Sequence, residues 1–311
     1  MVNTGTRDKG KIFTFARHET FHLRDGWLFK GLNALQNDES YLSGEDAHHK
    51  LGIGINMLKS IIYWLQATNL VQGSEPKSVQ RRKLQLTTLA NVIFQEDPYF
   101  EDIRTLWLLH IELASNIILA TFWYWAFNEF NQQEFTEERL IQGIQRFLEE
   151  NAAKSIAPSS LRKDARCFLH TYLPSDTSNE GPSKSSAYDV LESPLSLLGL
   201  IKRSSLSEHY KFQIGPHSNL PTSIFTYCLF KFREVTRPNE VAVSLEDIRW
   251  GPCSPGRLLC LDMHSILQYL EELEYQTSYA SIIRTAELNM IMLDRARTSH
   301  DLLTECYHNG D

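Results

Sequence analysis

Apolar residues recur at helical spacing between Ser43 and Val71, where the chain reads SGEDAHHKLGIGINMLKSIIYWLQATNLV. Met57, Ile61 and Leu65 lie four residues apart and therefore form one apolar stripe on a helix. Gly52 precedes this helix and permits the positive φ angle that a tight turn requires. The pattern predicts a short helix, a glycine turn and a longer helix, which is a helix-turn-helix.

A polar loop follows, and then the segment QRRKLQL from Gln80 to Leu86. We interpret this segment as the returning strand of a wing, with three successive cations at its base. Polar side chains on the outer face of the longer helix would contact phosphates and base edges. The predicted DNA-binding residues are Arg24, Asn56, Lys59, Tyr63, Arg81, Arg82 and Lys83.

The segment from Thr105 to Phe127 is apolar and long enough to cross a bilayer. However, His110, Glu112 and Asn116 would lie near its centre, where ionised groups are costly. We therefore predict a buried core helix of a soluble protein. His110 and Glu112 are more typical of satisfied core groups than of ligands, and the aromatic run 122–125 within the segment is more typical of packing than of a base-stacking platform.

The fold class that these patterns predict is mainly α with small β-hairpins (α+β). We divide the chain into an N-terminal winged helix-turn-helix region (1–90), a helical core (91–173), a polar linker or mobile loop (174–186) and a mixed C-terminal domain (187–311). The last domain repeats the order of helix end, apolar pair and hairpin, which suggests a second winged helix. Within it, residues 257–261 are predicted to form a short strand.

Charge is distributed unevenly along the chain. The whole sequence has 31 basic and 38 acidic residues, a formal net charge of −7. Residues 1–83 nevertheless contain 12 lysines and arginines against 8 acidic residues. A basic segment in an otherwise acidic chain favours DNA contact through that segment. The acidic remainder is more typical of a surface that meets protein partners.

The five cysteines are scattered and form no C-x-x-C pair, which is typical of reduced thiols in a cytoplasmic protein. Residues 1–11 are polar and lack the apolar region of a signal peptide. We therefore expect a cytoplasmic protein with no membrane contact. P-loop, dinucleotide-binding and nucleophile-elbow motifs do not occur, so the sequence predicts no nucleotide cofactor.

Residues 18–22 read HETFH and match H-E-x-x-H, in which two histidines one helical turn apart bind zinc and the glutamate activates water. That motif requires the middle of a helix. Here Gly26 follows closely, and no third ligand occurs at a family spacing. A zinc protease is disfavoured, but a polar site remains open, with His18 and Glu19 as catalytic candidates.

Asp97-Pro98 is typical of a helix start, since Asp suits the N-cap and Pro the first helical position. A helix from this point would place Asp97 and Glu101 on one face, where they could hold a divalent metal, magnesium or manganese, for phosphodiester chemistry. Both residues are therefore candidates for catalysis and for metal binding. In the alternative interpretation, Asp97 only caps the helix while Glu101 and Asp102 interact with its dipole.

Four segments resemble one bacterial family, the SspB family of Ssp-type DNA phosphorothioation and phage-defence systems, formerly a domain of unknown function. They are FARHETFHLRDGWLFKGL (15–32), LGIGINMLKSIIYWLQATNL (51–70), DPYFEDIRTLWLLH with the later WYW run (97–110 and 123–125), and SPGRLLCL (254–261). The resemblance covers nearly the whole chain. In the family the position of His22 is usually not histidine, which leaves His18, Glu19 and Arg24 as the shared polar set.

The resemblance implies a component that nicks one DNA strand to permit sulfur insertion into the backbone. It also implies double-stranded DNA, a P-loop ATPase and a PAPS-reductase-like subunit as partners. It assigns no active site, because no nuclease motif is visible in this sequence. Two alternatives remain open: a non-catalytic winged-helix adaptor that links DNA to the ATPase and sulfurtransferase subunits, and a transcription regulator.

Overall fold

The computed structural model describes residues 13–73, 83–174, 192–205, 208–284 and 289–308. Within these ranges the protein is mainly helical, with three small antiparallel sheets, so the predicted α+β class is confirmed at this level. Apart from Pro174, the predicted linker lies outside the described residues. Arg81 and Arg82 lie outside them as well.

The N-terminal part has the element order that the sequence predicts. It contains α1 (Trp27–Leu35), α2 (Ala47–Lys50), α3 (Ile55–Ala67), β1 (Val71–Gly73) and β2 (Leu84–Leu86). Gly52, between α2 and α3, has a φ of 65°, as a tight turn requires. Strands β1 and β2 pair antiparallel. A Cβ on Gly31 would lie 2.6 Å from the Leu65 side chain, so glycine permits the close packing of α1 on α3.

The central part is a group of helices. It contains α4 (Thr88–Glu96), α5 (Ile103–Ser115), α6 (Thr121–Asn128), β3 (Glu134–Phe135), α7 (Glu137–Glu150) and α8 (Pro158–Tyr172). The predicted helix start at Asp97 is wrong. Asp97 follows the end of α4, and α5 begins at Ile103, where the Asp102 side chain accepts the Arg104 N–H at 2.8 Å.

The apolar segment 105–127 forms two helices rather than the single predicted one. Asn116 ends α5, donates to the Ala67 carbonyl at 3.1 Å and accepts the Leu119 N–H at 3.0 Å. These bonds satisfy backbone groups that a helix break would otherwise leave unpaired. The aromatic residues of α6 are largely buried, in agreement with their predicted packing role. In the described part of the chain, every helix is too short or too polar to cross a membrane.

The C-terminal part combines short strands with helices. It contains β4 (Ile201–Arg203), β5 (Tyr210–Phe212), α9 (Thr222–Thr236), β6 (Ala242–Ser244), α10 (Leu245–Trp250), α11 (Pro255–Leu258), α12 (Met263–Gln276), β7 (Ala280–Arg284), β8 (Asn289–Leu293) and α13 (Ser299–His308). One sheet has the order β3-β5-β4 and therefore joins the central and C-terminal parts; the other has the order β6-β8-β7.

Two C-terminal predictions require correction. The β4–β5 hairpin forms, but the segment that leads into it, Pro194–Leu198, is a short 3-10 helix and not the α-helix of the predicted pattern. The predicted strand at 257–261 is also wrong, because Ser254 caps the short helix α11 by accepting the Arg257 N–H. Proline at the first position of α11 favours helix over strand here.

His110, on α5, joins three helices in the core. Its Nε2 lies 2.7 Å from the Leu258 carbonyl of α11, and its Nδ1 lies 2.8 Å from the Tyr172 hydroxyl of α8. Because a carbonyl only accepts, Nε2 carries the proton and Nδ1 accepts from Tyr172. Burial lowers the pKa of His110 to about 4, against the carbonyl bond that acts to raise it. His110 is therefore a satisfied core group, as predicted.

This histidine should make the protein sensitive to acid. An exposed histidine in the unfolded chain titrates near pH 6.5, so between about pH 6.5 and pH 4 the unfolded state binds the extra proton and the free energy of unfolding falls as pH decreases. The expected loss is about 3 kcal/mol. Urea unfolding of the wild type and His110→Gln between about pH 7 and pH 4.5 measures it. The variant should be less stable at neutral pH but lose less stability in acid, and parallel pH profiles would contradict the prediction.

Candidate nucleic-acid interface

The exposed surface of α3 and the start of β2 carry three of the predicted DNA-binding side chains. Asn56 and Lys59 are exposed on α3, where Lys59 Nζ lies 3.5 Å from Asn56 Oδ1. Lys83 is exposed beside β2, and its Nζ lies 3.8 Å from Glu39. The lysine side chains are 55% and 59% exposed, so both ammonium groups can reach a phosphate. We call Asn56, Lys59 and Lys83 the α3 surface.

A loop formed by residues 16–20 lies against the α3 surface. It brings the Glu19 carboxylate to 3.8 Å from Lys59 Nζ. Ala16, Glu19 and Thr20 have φ angles of 55°, 50° and 71°, a left-handed conformation that residues other than glycine rarely adopt. Because three of the five residues have this costly backbone conformation, the loop would not adopt it alone. Contacts with the rest of the protein must stabilise it.

Asp164, on α8, holds the buried side of this loop. Its Oδ2 accepts the Ala16 N–H at 2.8 Å, and its Oδ1 lies 3.3 Å from His18 Nε2. His18 is fully buried, and its ring packs edge-on against the rings of Tyr63 and Trp123, at centroid distances of 6.0 and 5.9 Å. Burial raises the pKa of Asp164, although His18 and the Ala16 N–H both act to lower it. We call Asp164, His18 and the Ala16 N–H the Asp164 anchor.

Further bonds continue the attachment on both sides of the anchor. Before the loop, the Thr14 N–H donates to the hydroxyl of Thr121 at 2.9 Å. After it, the Phe21 carbonyl accepts from Trp64 Nε1 at 3.2 Å and lies 3.4 Å from Cys167 Sγ. The N-terminal segment is thus fixed to α3, α6 and α8, and the position of Glu19 beside Lys59 depends on the core.

The H-E-x-x-H residues, 18–22, lie in the 16–20 loop and in the segment directly after it, and not in a helix. His18 points into the core, whereas His22 stacks on His170 at a centroid distance of 5.8 Å. The two histidines therefore do not face one ligand. His18 also cannot touch a substrate at the surface, so its prediction as a catalytic residue does not fit its position, and its visible role is to hold the loop.

Two predicted DNA-binding residues are buried and cannot act at the surface in this conformation. Tyr63 is 8% exposed, and burial raises the pKa of its hydroxyl well above the usual value. Arg24 is 4% exposed, with its guanidinium carbon 5.1 Å from the ring centroid of Phe21 and 5.3 Å from that of Trp27. The spacing of apolar residues in the sequence does not show this burial, because the 16–20 loop, which covers Tyr63, and α1, which packs on Arg24, come from other segments of the chain.

Asp97 and Glu101 are not on one helical face. Asp97 is 8% exposed, and its two oxygens accept the N–H groups of Glu101 and Asp102, each at 3.0 Å. The Glu101 side chain is exposed. Both oxygens of Asp97 therefore close the loop between α4 and α5, and the predicted arrangement of the two carboxylates on one helical face does not form. Among the described residues, no three His, Cys, Asp or Glu side chains form a group that could hold a metal ion.

Sequence reasoning missed a second polar cluster around Glu112. This carboxylate is 5% exposed and accepts from Asn69 at 3.0 Å, from the Tyr227 hydroxyl at 2.8 Å and from Lys231. The prediction that Glu112 is a satisfied core group is confirmed, but its partner Lys231 was not foreseen. The visible signal was one lysine inside the otherwise apolar run of residues 224–232.

Asp164 was missed as well, although the sequence contains a signal for it. It lies three residues after Leu161 and four before Phe168, both buried, so it occupies a position on the apolar stripe of α8. A lone carboxylate at such a position must have a buried partner. Only the fold identifies that partner as a histidine 146 residues earlier in the chain.

Removing the Asp164 carboxylate should destabilise the protein and release the loop. We expect Asp164→Ala to lower the free energy of unfolding by about 3 kcal/mol, because His18 and the Ala16 N–H lose a buried partner. Asp164→Asn keeps an acceptor for one of them and should cost less. Urea unfolding measures both, and faster tryptic cleavage after the exposed Arg17 reports the loop. Asp25→Ala, at an exposed carboxylate, should change stability by about 0.5 kcal/mol or less; a similar effect of Asp164→Ala would refute the anchor.

Comparison with known proteins gives a family match over nearly the whole chain. Residues 15–307 match the family described as a protein of unknown function, DUF4007. A search of curated proteins gave no match. Among solved structures, the chain is similar to a magnesium ion-bound SspB crystal structure, with a TM-score of 0.86 and 27% identity. A second SspB crystal structure gives a TM-score of 0.85 and 26% identity.

Both SspB comparisons cover 96% of this chain and 89% of the other. The similarity therefore extends over the α3 surface, the Asp164 anchor and the C-terminal sheets together and is not confined to one motif. It confirms the resemblance that the four sequence segments indicate. The chain belongs to the DUF4007 family and is an SspB-like protein.

Proposed function

We propose that this protein is the DNA-binding component of a DNA phosphorothioation and phage-defence system, and that it nicks one strand to permit sulfur insertion. The observation that carries the proposal is the similarity to SspB over 96% of the chain. The α3 surface supports the DNA-binding part, because it combines exposed cations with a helix and hairpin in winged-helix order. Double-stranded DNA is the proposed substrate.

In this proposal α3 and the β1–β2 hairpin act as a winged helix. Lys59 and Lys83 contact phosphates, which supplies affinity without sequence preference. Asn56 is the exposed side chain with a donor and an acceptor for a base edge. Glu19 would repel phosphate and so restrict how closely the backbone approaches Lys59.

The nicking step is proposed from the family alone. A divalent ion, magnesium or manganese, stays part of the proposal because one similar structure is a magnesium-bound SspB. Asp97 and Glu101 do not share a helical face, so they are not assigned as its ligands. The more acidic remainder of the chain, beyond residue 83, is the proposed surface for a P-loop ATPase and a PAPS-reductase-like subunit.

Removing the two exposed lysines should weaken DNA binding uniformly across sequences. For the double variant Lys59→Gln, Lys83→Gln we expect about tenfold lower affinity for duplex DNA at moderate salt, and a slope of log affinity against log salt smaller by about two. Fluorescence anisotropy over a series of salt concentrations measures both. The control, Lys154→Gln with Lys163→Gln, removes the same charge from exposed positions on and before α8. Equal losses in the two double variants would argue against the α3 surface.

A plasmid assay tests strand nicking and its dependence on a metal ion. We expect the pure protein to convert supercoiled plasmid to the open circle with magnesium or manganese and not with EDTA. Glu101→Gln tests whether Glu101, the exposed carboxylate of the predicted pair, takes part in nicking. Unchanged nicking activity of this variant would show that it does not. Equal nicking with EDTA would contradict the metal ion. No nicking, combined with salt-sensitive DNA binding, would favour the non-catalytic adaptor.

A further inference from the structure

A cavity of about 410 Å³ lies between α6, β5 and the α10–α11 turn, in the C-terminal part of the chain. Two arginines, Arg249 and Arg257, line it together with Trp250 and three phenylalanines. None of these residues belongs to the α3 surface, the Asp164 anchor or the Glu112 cluster. We call this space the Arg249 cavity.

Arg249 is a buried cation without a visible counter-ion. It is 9% exposed, and among the described residues no group accepts a hydrogen bond from its guanidinium or pairs with it as an ion. Its guanidinium carbon lies 3.9 Å from the ring centroid of Trp250. Burial, and then the charge of Arg257, lower the pKa of Arg249, although Asp262 acts to raise it. Because Arg249 lines the cavity, its guanidinium donors are available there to an anion.

Arg257 presents a second guanidinium to the same cavity. One of its amino groups donates to Asn131 Oδ1 at 2.7 Å, and its guanidinium carbon lies 5.1 Å from the Trp250 ring centroid. This leaves donors free, since guanidinium has five. The acidic groups whose charge acts on the pair are Asp262, which caps α12, and Glu129; in the described chain neither forms an ion pair with them.

The SPGR segment sets the spacing of the two arginines. A Cβ on Gly256 would lie 2.4 Å from the Arg249 carbonyl oxygen, so only glycine permits α11 to approach α10 this closely. Ser254 caps the turn through the Arg257 N–H at 3.3 Å. The segment that carries part of the family resemblance therefore places one guanidinium beside the other.

The walls of the cavity indicate more than a simple anion. Its volume lies within the range of small-ligand sites and exceeds what inorganic phosphate fills. Phe127, Phe130 and Phe212 supply an apolar wall on which a flat ring can pack. Asn131, Gln132 and Gln133 supply amide donors and acceptors beside it. Paired guanidiniums suit the oxygens of a phosphate group.

We propose that the Arg249 cavity binds a nucleoside phosphate, with the phosphate between Arg249 and Arg257 and the base against the phenylalanine wall and the amide side chains. The nucleotide has two possible sources, a free nucleotide or an unstacked nucleotide of a DNA strand. Binding of a free nucleotide would be a property beyond the proposed function. Binding of an unstacked nucleotide of a DNA strand rests on the proposed function.

Isothermal titration calorimetry on the full-length chain tests the site, with deoxyadenosine monophosphate (dAMP) as the probe. We expect dAMP to bind more tightly than inorganic phosphate or deoxyadenosine, because each of these has only half of the contacts. Arg257→Gln should lower the affinity about tenfold or more. Arg249→Lys should do the same while keeping the charge, since lysine lacks the planar pair of donors. Lys211→Gln, an exposed charge on β5, is the matched control and should change affinity less than about twofold.

Three results would overturn the proposal. They are no heat of binding with dAMP, equal dAMP affinity of Arg257→Gln and wild type, and phosphate or an acidic peptide binding as tightly as dAMP. Thermal unfolding of each variant separates lost binding from lost fold, and Arg257→Gln, at a partly exposed side chain, is the variant expected to fold normally.

Competition experiments identify the source of the nucleotide. If dAMP displaces a labelled single-stranded oligonucleotide and Arg257→Gln weakens that oligonucleotide, the cavity takes a nucleotide of a strand. If dAMP binds without competition, the cavity takes the free nucleotide; both results support the site. The double variant Lys59→Gln, Lys83→Gln should bind dAMP with unchanged affinity even if it loses duplex binding. The experiments therefore test the DNA-binding proposal for the α3 surface and the nucleotide proposal for the cavity separately.

Discussion

The Asp164 carboxylate is the constraint on which the N-terminal surface depends. A carboxyl group away from water must have polar partners; here the Ala16 N–H donates to Asp164, and His18 Nε2 lies 3.3 Å from its other oxygen. These bonds help to offset the unfavourable left-handed conformations of the 16–20 loop. Because α8 supplies Asp164, the distance between Glu19 and Lys59 is set by a helix that contributes nothing to the exposed surface itself. A substitution at Asp164, in the core, is therefore expected to alter the position of Glu19 beside Lys59 at the candidate DNA interface.

Buried polar groups connect the other parts of the chain in the same way. His110 joins α5 to α8 and to the α11 turn, and Glu112, on the same helix, joins α5 to Asn69 and to Tyr227 of α9. Each group would be costly if left alone, so each fixes the relative placement of the segments that satisfy it. Through the Leu258 carbonyl, His110 also fixes the turn that carries Arg257. The α5 helix is thus a common support for the segment that follows α3, through Asn69, and for the Arg249 cavity, through the α11 turn.

The sequence correctly predicts elements that depend on local periodicity and turn residues. It does not predict the burial or the partners of side chains that contact distant segments of the chain. The α3 stripe, the turn at Gly52 and the β1–β2 hairpin follow from local patterns. In contrast, Tyr63 lies on a face of α3 that looks polar until the 16–20 loop covers it. Asp97 has the composition of a helix start, but its side chain closes the loop between α4 and α5. The partners of Asp164 in the anchor, His18 and the Ala16 N–H, lie 146 and 148 residues earlier in the chain, a separation that no local pattern encodes.

The two cationic features of the chain differ in the physics of recognition. Lys59 and Lys83 are hydrated and exposed, so salt screens them and they attract any phosphate backbone. Arg249 is 9% exposed and lies over the ring of Trp250, so its charge is less screened than that of the lysines and its planar donors favour a ligand of matching geometry. Lysines at the surface suit a first, sequence-independent contact, whereas two arginines on the wall of a cavity suit discrimination of one phosphate with its base. The net charge of −7 conceals both features, because acidic residues outnumber basic ones over the whole chain although these cations form two local groups. In the proposed function, loose contact with a duplex and specific binding of one nucleotide call for different kinds of cation, and the chain carries these in separate places.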